Sequence, residues 1–175
     1  IVWATMQDHD GFVQVHSTVG KGTIIRLFFP ATNEVHPARP AVPKIEDLMG
    51  HGETVLVVDD EAEHRHIAYE MLTRLNYQVT VVDSDQAALD HMAKSPYALV
   101  VLDMVLGNGS DGLTLYRQLL ARHPQQKAVI VSGFDESARV KKALALGAGG
   151  YIRKPYTLQQ LSSAVKSELE KDTIF

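Results

Sequence analysis

Short apolar runs in this 175-residue chain end in residues that can handle phosphate and metal. Val55-Leu56-Val57-Val58 runs into Asp59-Asp60-Glu61, and the run from Ala98 to Leu102 ends at Asp103. The run from Ala128 to Val131 ends at Ser132, and Gly150-Tyr151-Ile152 is followed by Lys154-Pro155. Brought together, the carboxylates of Asp59, Asp60 and Asp103 repel one another and need a cation. A few hard oxygen ligands suit Mg²⁺, which keeps several of its waters. A metal held this way can also hold a phosphoryl oxygen, while the Ser132 hydroxyl and the Lys154 ammonium take others. A carboxylate can itself be the nucleophile and become an aspartyl phosphate. The chemistry these residue types could perform is therefore phosphoryl transfer onto Asp103. Each residue also has an ordinary use taken singly: Asp59 or Asp60 as a helix cap, Asp103 in a loop, Ser132 in a turn, Tyr151 in packing and Lys154 on the surface.

The elements needed to bring them together are legible as a pattern. After Gly52, apolar segments at Thr54–Val58, Gln78–Val82, Ala98–Leu102, Ala128–Val131 and Gly150–Ile152 alternate with helical periodicities. The latter run over Glu61–Leu75, Ser84–Lys94, Asp111–Arg122, Glu136–Leu146 and Leu158–Glu170. Strands that alternate with helices predict a parallel sheet covered on both faces, an α/β doubly wound fold. With right-handed crossovers the expected strand order is 2-1-3-4-5. Ligands bind such sheets beyond the carboxyl ends of the strands, the edge on which the chemical residues fall.

Upstream lies different material. Four of the seven prolines, Pro30, Pro37, Pro40 and Pro43, crowd one stretch that reads as an extended linker over residues 31–52. Residues 1–30 read as a helix to about His9 and strands at Phe12–His16 and Thr23–Phe29. A helix and a hairpin are too little for an independent core, so this piece is expected to pack on its own linker, on the rest of the chain or on a second copy as a homodimer. The chain opens at Ile1 inside a helical pattern and is expected to have been cut from a longer protein. Net charge is only −4 with no basic stripe, which argues against nucleic acid. Cysteine is absent, which excludes disulfide and thiolate chemistry. No apolar run reaches the length of a membrane span, so no membrane contact is expected of this fragment. His64 and His66 stand two apart on a helix and are expected to be solvated, since they do not share a face.

Residues 54–170 resemble a receiver domain of bacterial two-component signalling, with a flavodoxin-like fold. The resemblance rests on the acid pair in VLVVDDE, Asp103 in LVVLDM, Ser132 in VIVSGF and the Tyr151 and Lys154 of GAGGYIRKPY. It implies that Asp103 accepts a phosphoryl group, making the chain a phosphoprotein, with Ser132 and Lys154 assisting. Mg²⁺ is implied at Asp60, Asp103 and the Val105 carbonyl, and at Asp59 through water. A cis Lys154-Pro155 bond, a switch role for Tyr151 and a cytoplasmic location are implied as well. Implied partners are a histidine kinase core or a histidine-containing phosphotransfer protein. The loop after Asp103, Met104 to Ser110, departs from the family in having no proline. Residues 1–30 are similar to the end of a histidine-kinase ATP-binding domain, without its nucleotide motifs, so the parent resembles a hybrid histidine kinase. The fragment would promote its own phosphorylation yet lack kinase activity. The alternative is a haloacid-dehalogenase-like phosphatase with Asp103 as nucleophile. Such enzymes carry a second Asp two residues on, where this chain has Val105.

Overall fold

A computed structural model describes residues 2–31, 43–107, 111–133 and 138–171. The chain divides into two compact units, residues 1–40 and residues 41–175.

In the smaller unit, helix α1 (Val2–Asp8) precedes an antiparallel hairpin of β1 (Phe12–Thr18) and β2 (Gly22–Phe28). Gly20 and Gly22 supply the positive φ angles of 79° and 101° at its turn, a conformation glycine adopts without steric cost. Phe12 and Phe28, paired across the strands, stack with ring centroids 4.5 Å apart. Met6 is the one buried residue of α1, while Trp3, Val15, Ile25 and Leu27 stay exposed. This is the poverty of core expected of so few residues.

The larger unit is a five-stranded sheet with strands β3 (Thr54–Val58), β4 (Gln78–Val82), β5 (Leu99–Asp103), β6 (Ala128–Ser132) and β7 (Gly150–Arg153). They lie in the order β4-β3-β5-β6-β7, every neighbouring pair parallel. This is the expected 2-1-3-4-5 order. Between and after them come α2 (Ala62–Thr73), α3 (Asp85–Lys94), α4 (Gly112–Arg122), α5 (Ala138–Ala145) and α6 (Leu158–Glu170). Alternate strand residues feed two cores. Leu56, Val58, Val100, Leu102, Ala128 and Ile130 pack with Ala88, Met92, Leu115, Tyr116, Leu119, Val140 and Ala143 of α3, α4 and α5. Val55, Val57, Leu99, Val101, Val129 and Val131 pack with Ala68 and Leu72 of α2 and Leu161 and Val165 of α6. Period-two side-chain direction thus explains why these strands are apolar throughout: both faces are covered.

Caps fix where the helices begin. Ser84 accepts from the Ala87 amide at 3.4 Å, and Asp111 accepts from the Leu113 amide at 3.1 Å. Thr157 and Gln160 form a reciprocal capping box on α6. Two expectations are refined. The strand leading to Asp103 runs Leu99–Asp103, so the acid is the last rung of the ladder, paired with Val131. The stretch read as extended linker up to Gly52 contains a 3₁₀ turn, Ile45–Leu48, within the larger unit. Leu48 is buried, Tyr77 donates to the Leu48 carbonyl at 3.5 Å, and Lys166 donates to the Met49 carbonyl at 2.9 Å. The apolar Leu48 side chain and these donors hold a segment whose prolines had suggested an extended, irregular course. In the loop after Asp103, Asn108, Gly109 and Ser110, and likewise the start of the helix expected from Glu136, lie outside the described residues.

Candidate functional site

Asp59 follows β3 directly, and its backbone amide still bonds the Val82 carbonyl at 3.2 Å. One of its carboxylate oxygens, Oδ1, accepts from the Glu61 amide at 3.0 Å, turning the chain into α2. Arg65 donates to the Asp59 carbonyl at 2.7 Å and ties the first turn of α2 to the same corner. Asp103 ends β5, and its Oδ1 accepts from the Val105 amide at 3.1 Å. Gly112 makes room behind it: a Cβ there would lie 2.2 Å from the Asp103 carbonyl oxygen, so α4 can start this close only on glycine. Both Asp59 and Asp103 are buried, whereas Asp60 is exposed.

Lys154 joins the two buried carboxylates. It leaves β7 with its amide bonded to the Ser132 carbonyl at 2.8 Å and precedes a cis bond to Pro155. Its ammonium donates to Asp59 Oδ2 and to Asp103 Oδ2, each at 2.6 Å. Burial pushes the Asp103 carboxyl above its ordinary range, against the opposing pull of Lys154. Burial of Lys154 would lower its pKa, but the hydrogen bonds to Asp103 and Asp59 prevail and raise it.

The carboxylates of Asp59, Asp60 and Asp103 offer ligand oxygens that all lie within 4.8 Å of one another. Three carboxylates against one ammonium leave a formal excess of two negative charges (3 − 1 = 2). That excess, on hard oxygen donors beside a cleft, fits a divalent cation of the Mg²⁺ type. The cleft is lined by Asp60, Glu61, His64, Asp103, Val105, Gly133, Lys154 and Pro155.

Four of the expected residues, Asp59, Asp60, Asp103 and Lys154, thus meet at the carboxyl edge of the sheet, with Val105 beside them. Ser132 is the buried last residue of β6. Tyr151, in β7, is half-buried against the core shared with α3, α4 and α5. The expectation for His64 is corrected. It faces the cleft, with Nδ1 3.0 Å from the Lys154 ammonium. His66, two residues on, does not share that face, so the spacing of the two histidines carried no signal. The available signal was the place of His64 in the first turn of a helix that starts at the acid pair.

Comparison with known proteins agrees with this geometry. The family described as response regulator receiver domain matches residues 55–166. Sensor kinase CckA of Brucella abortus is 35% identical over 181 residues, an overlap that takes in 98% of this chain and 19% of that protein. Regulatory protein VirG of Agrobacterium tumefaciens is 33% identical over 144 residues, 77% of this chain and 53% of that one. The chain thus spans about half or less of these relatives. The crystal structure of the receiver domain of NtrX from Brucella abortus superposes with a TM-score of 0.64 at 28% identity, covering 67% of this chain and 99% of that one. The phosphatase alternative finds no support among these relatives.

Proposed function

We propose, from the premise that the chain belongs to the response regulator receiver domain family, that it takes a phosphoryl group from a phosphohistidine onto Asp103. The observation that supports this reading most is the Lys154 ammonium, 2.6 Å from both Asp103 and Asp59 at the end of β5. In the transfer, a carboxylate oxygen of Asp103 forms the new P–O bond. The P–N bond of the donor breaks, and its electron pair stays on the imidazole nitrogen, which takes a proton. Asp103 is poised for this because Val105 and Lys154 orient its two oxygens separately. The new phosphoryl group carries roughly −1.5 to −2 charge, and Lys154 is already within reach of it. Asp60, Asp103 and the Val105 carbonyl would hold Mg²⁺, with Asp59 acting through water. When bound, the ion neutralises charge on the phosphoryl oxygens.

Ser132 and Tyr151 carry the response in this reading. The Ser132 hydroxyl takes a phosphoryl oxygen and Tyr151 follows it, a two-state element biased by a local charge event. The recipient is a histidine kinase core or a histidine-containing phosphotransfer protein. The smaller unit is the end of a kinase ATP-binding domain and does not itself bind ATP. The similarity to a sensor kinase over 98% of the chain favours this assignment.

The test is incubation with acetyl phosphate, with and without Mg²⁺. One phosphoryl group per chain is expected, and only with the metal. Asp60→Ala should weaken Mg²⁺ binding by at least about tenfold, since it removes one of few charged ligands. Calorimetric titration reads this directly, and unchanged affinity would remove Asp60 from the metal site.

A further inference from the structure

We propose that His64 is a positioning residue for Lys154, holding the ammonium beside Asp103 as the charge on that residue changes. The inference rests on the phosphoacceptor reading above and adds a residue to it. A lysine ammonium has three N–H donors and no lone pair, so any partner at hydrogen-bond distance must accept. Lys154 has three such partners: Asp59 Oδ2 at 2.6 Å, Asp103 Oδ2 at 2.6 Å and His64 Nδ1 at 3.0 Å. All three of its donors are therefore used. Nδ1 must carry the lone pair, which leaves the imidazole proton on Nε2. The other groups near Nδ1 are Glu61 Oε1 at 3.3 Å and Asp59 Oδ1 at 3.5 Å. Both are longer, and the bond from Lys154 sets the tautomer.

The three tethers differ in kind. Asp59 and Asp103 are anionic, and both change partners when a cation or a phosphoryl group arrives. His64 offers the ammonium a ring-nitrogen lone pair rather than a carboxylate. It is anchored in the first turn of α2, itself tied to the acid corner by Arg65. A flexible four-carbon stem with one acceptor anchored on a helix keeps its head group in place while the carboxylate partners rearrange.

The experiment compares wild type, His64→Leu and His64→Asn in the full 175-residue chain, with saturating Mg²⁺ and acetyl phosphate as donor. Loss of one hydrogen bond to a charged group should slow acceptance roughly threefold to tenfold in His64→Leu. His64→Asn places an acceptor oxygen the same number of bonds from Cα as Nδ1 and should recover most of the rate. An imidazole ¹⁵N spectrum of unphosphorylated wild type, taken where His64 is neutral, should show the proton on Nε2. In Lys154→Met that tautomer preference should weaken. A wild-type rate in His64→Leu, no recovery in His64→Asn, or a proton on Nδ1 would each overturn the proposal. The spectrum needs no phosphorylation. If wild type took no phosphoryl group, the phosphoacceptor reading would fail while the Lys154–His64 bond was still decided.

Discussion

Replacing Asp103 by asparagine is expected to abolish phosphoryl acceptance while leaving the fold intact. An amide oxygen is a poor nucleophile, and the side chain is otherwise the same size. Of the Val105 amide and the Lys154 ammonium, which now meet different carboxylate oxygens at 3.1 and 2.6 Å, one can still donate to the single amide oxygen, while the other faces the NH2 group. The substitution also removes one of three clustered negative charges, so no loss of stability is expected in metal-free buffer. Phosphate incorporation from acetyl phosphate, read by intact-mass measurement, should fall below detection. The wild-type reaction should also have an acid limb. Burial raises the Asp103 carboxyl, so its protonation begins above the ordinary carboxylate range. Acceptance should fall off there as pH drops, because the protonated acid is no nucleophile.

Lys154→Met should produce effects of opposite sign on metal binding and on transfer. Without the ammonium the site carries a formal excess of three negative charges instead of two, so Mg²⁺ should bind more tightly. Transfer should nevertheless slow by roughly 10²–10³-fold, the scale seen when one fixed donor to a developing charge is removed. In metal-free buffer the variant should lose about 3 kcal/mol of stability, because breaking a buried pair leaves its partners uncompensated. Asp59 and Asp103 are the carboxylates left behind. Mg²⁺ should restore part of that loss. The pH window on the alkaline side follows from the raised lysine: its contribution to stability is fully present below the ordinary lysine value and is lost as pH rises through the higher folded one. Urea unfolding with and without Mg²⁺, beside a calorimetric Mg²⁺ titration, separates these effects. A variant that simply misfolded would lose metal binding and transfer together.

The sheet and most of the site could be read from the chain because both follow from local rules. Doubly covered strands are apolar at every position, as in Val55-Leu56-Val57-Val58, and turn residues separate them from the helices. Site residues of a parallel sheet stand where strands stop, which singled out Asp59, Asp103, Ser132 and Lys154. What escaped depends on contacts between distant positions. His64 meets Lys154, 90 residues away in sequence, and no periodicity within α2 marks that side as special. The 3₁₀ turn at Ile45–Leu48 is held by Tyr77 and Lys166, neither adjacent to it in the chain. The closeness of Gly112 to the Asp103 carbonyl is likewise a tertiary fact, since a glycine at the start of a helical pattern does not show what it packs against. Strand ends also shifted by a residue where ladder pairing, rather than polarity, decides: Asp103 pairs with Val131 although it is charged.

The central claim, that Asp103 is the phosphoacceptor, is tested most directly by trapping the acyl phosphate in the wild-type chain. Borohydride reduces an aspartyl phosphate to homoserine, and peptide mass spectrometry locates the change. After incubation with a phosphohistidine donor or acetyl phosphate and Mg²⁺, homoserine is expected at position 103 and at no other acid. Homoserine at Asp59 or Asp60, or a stable phosphoryl group on Ser132 with Asp103 unchanged, would contradict the account.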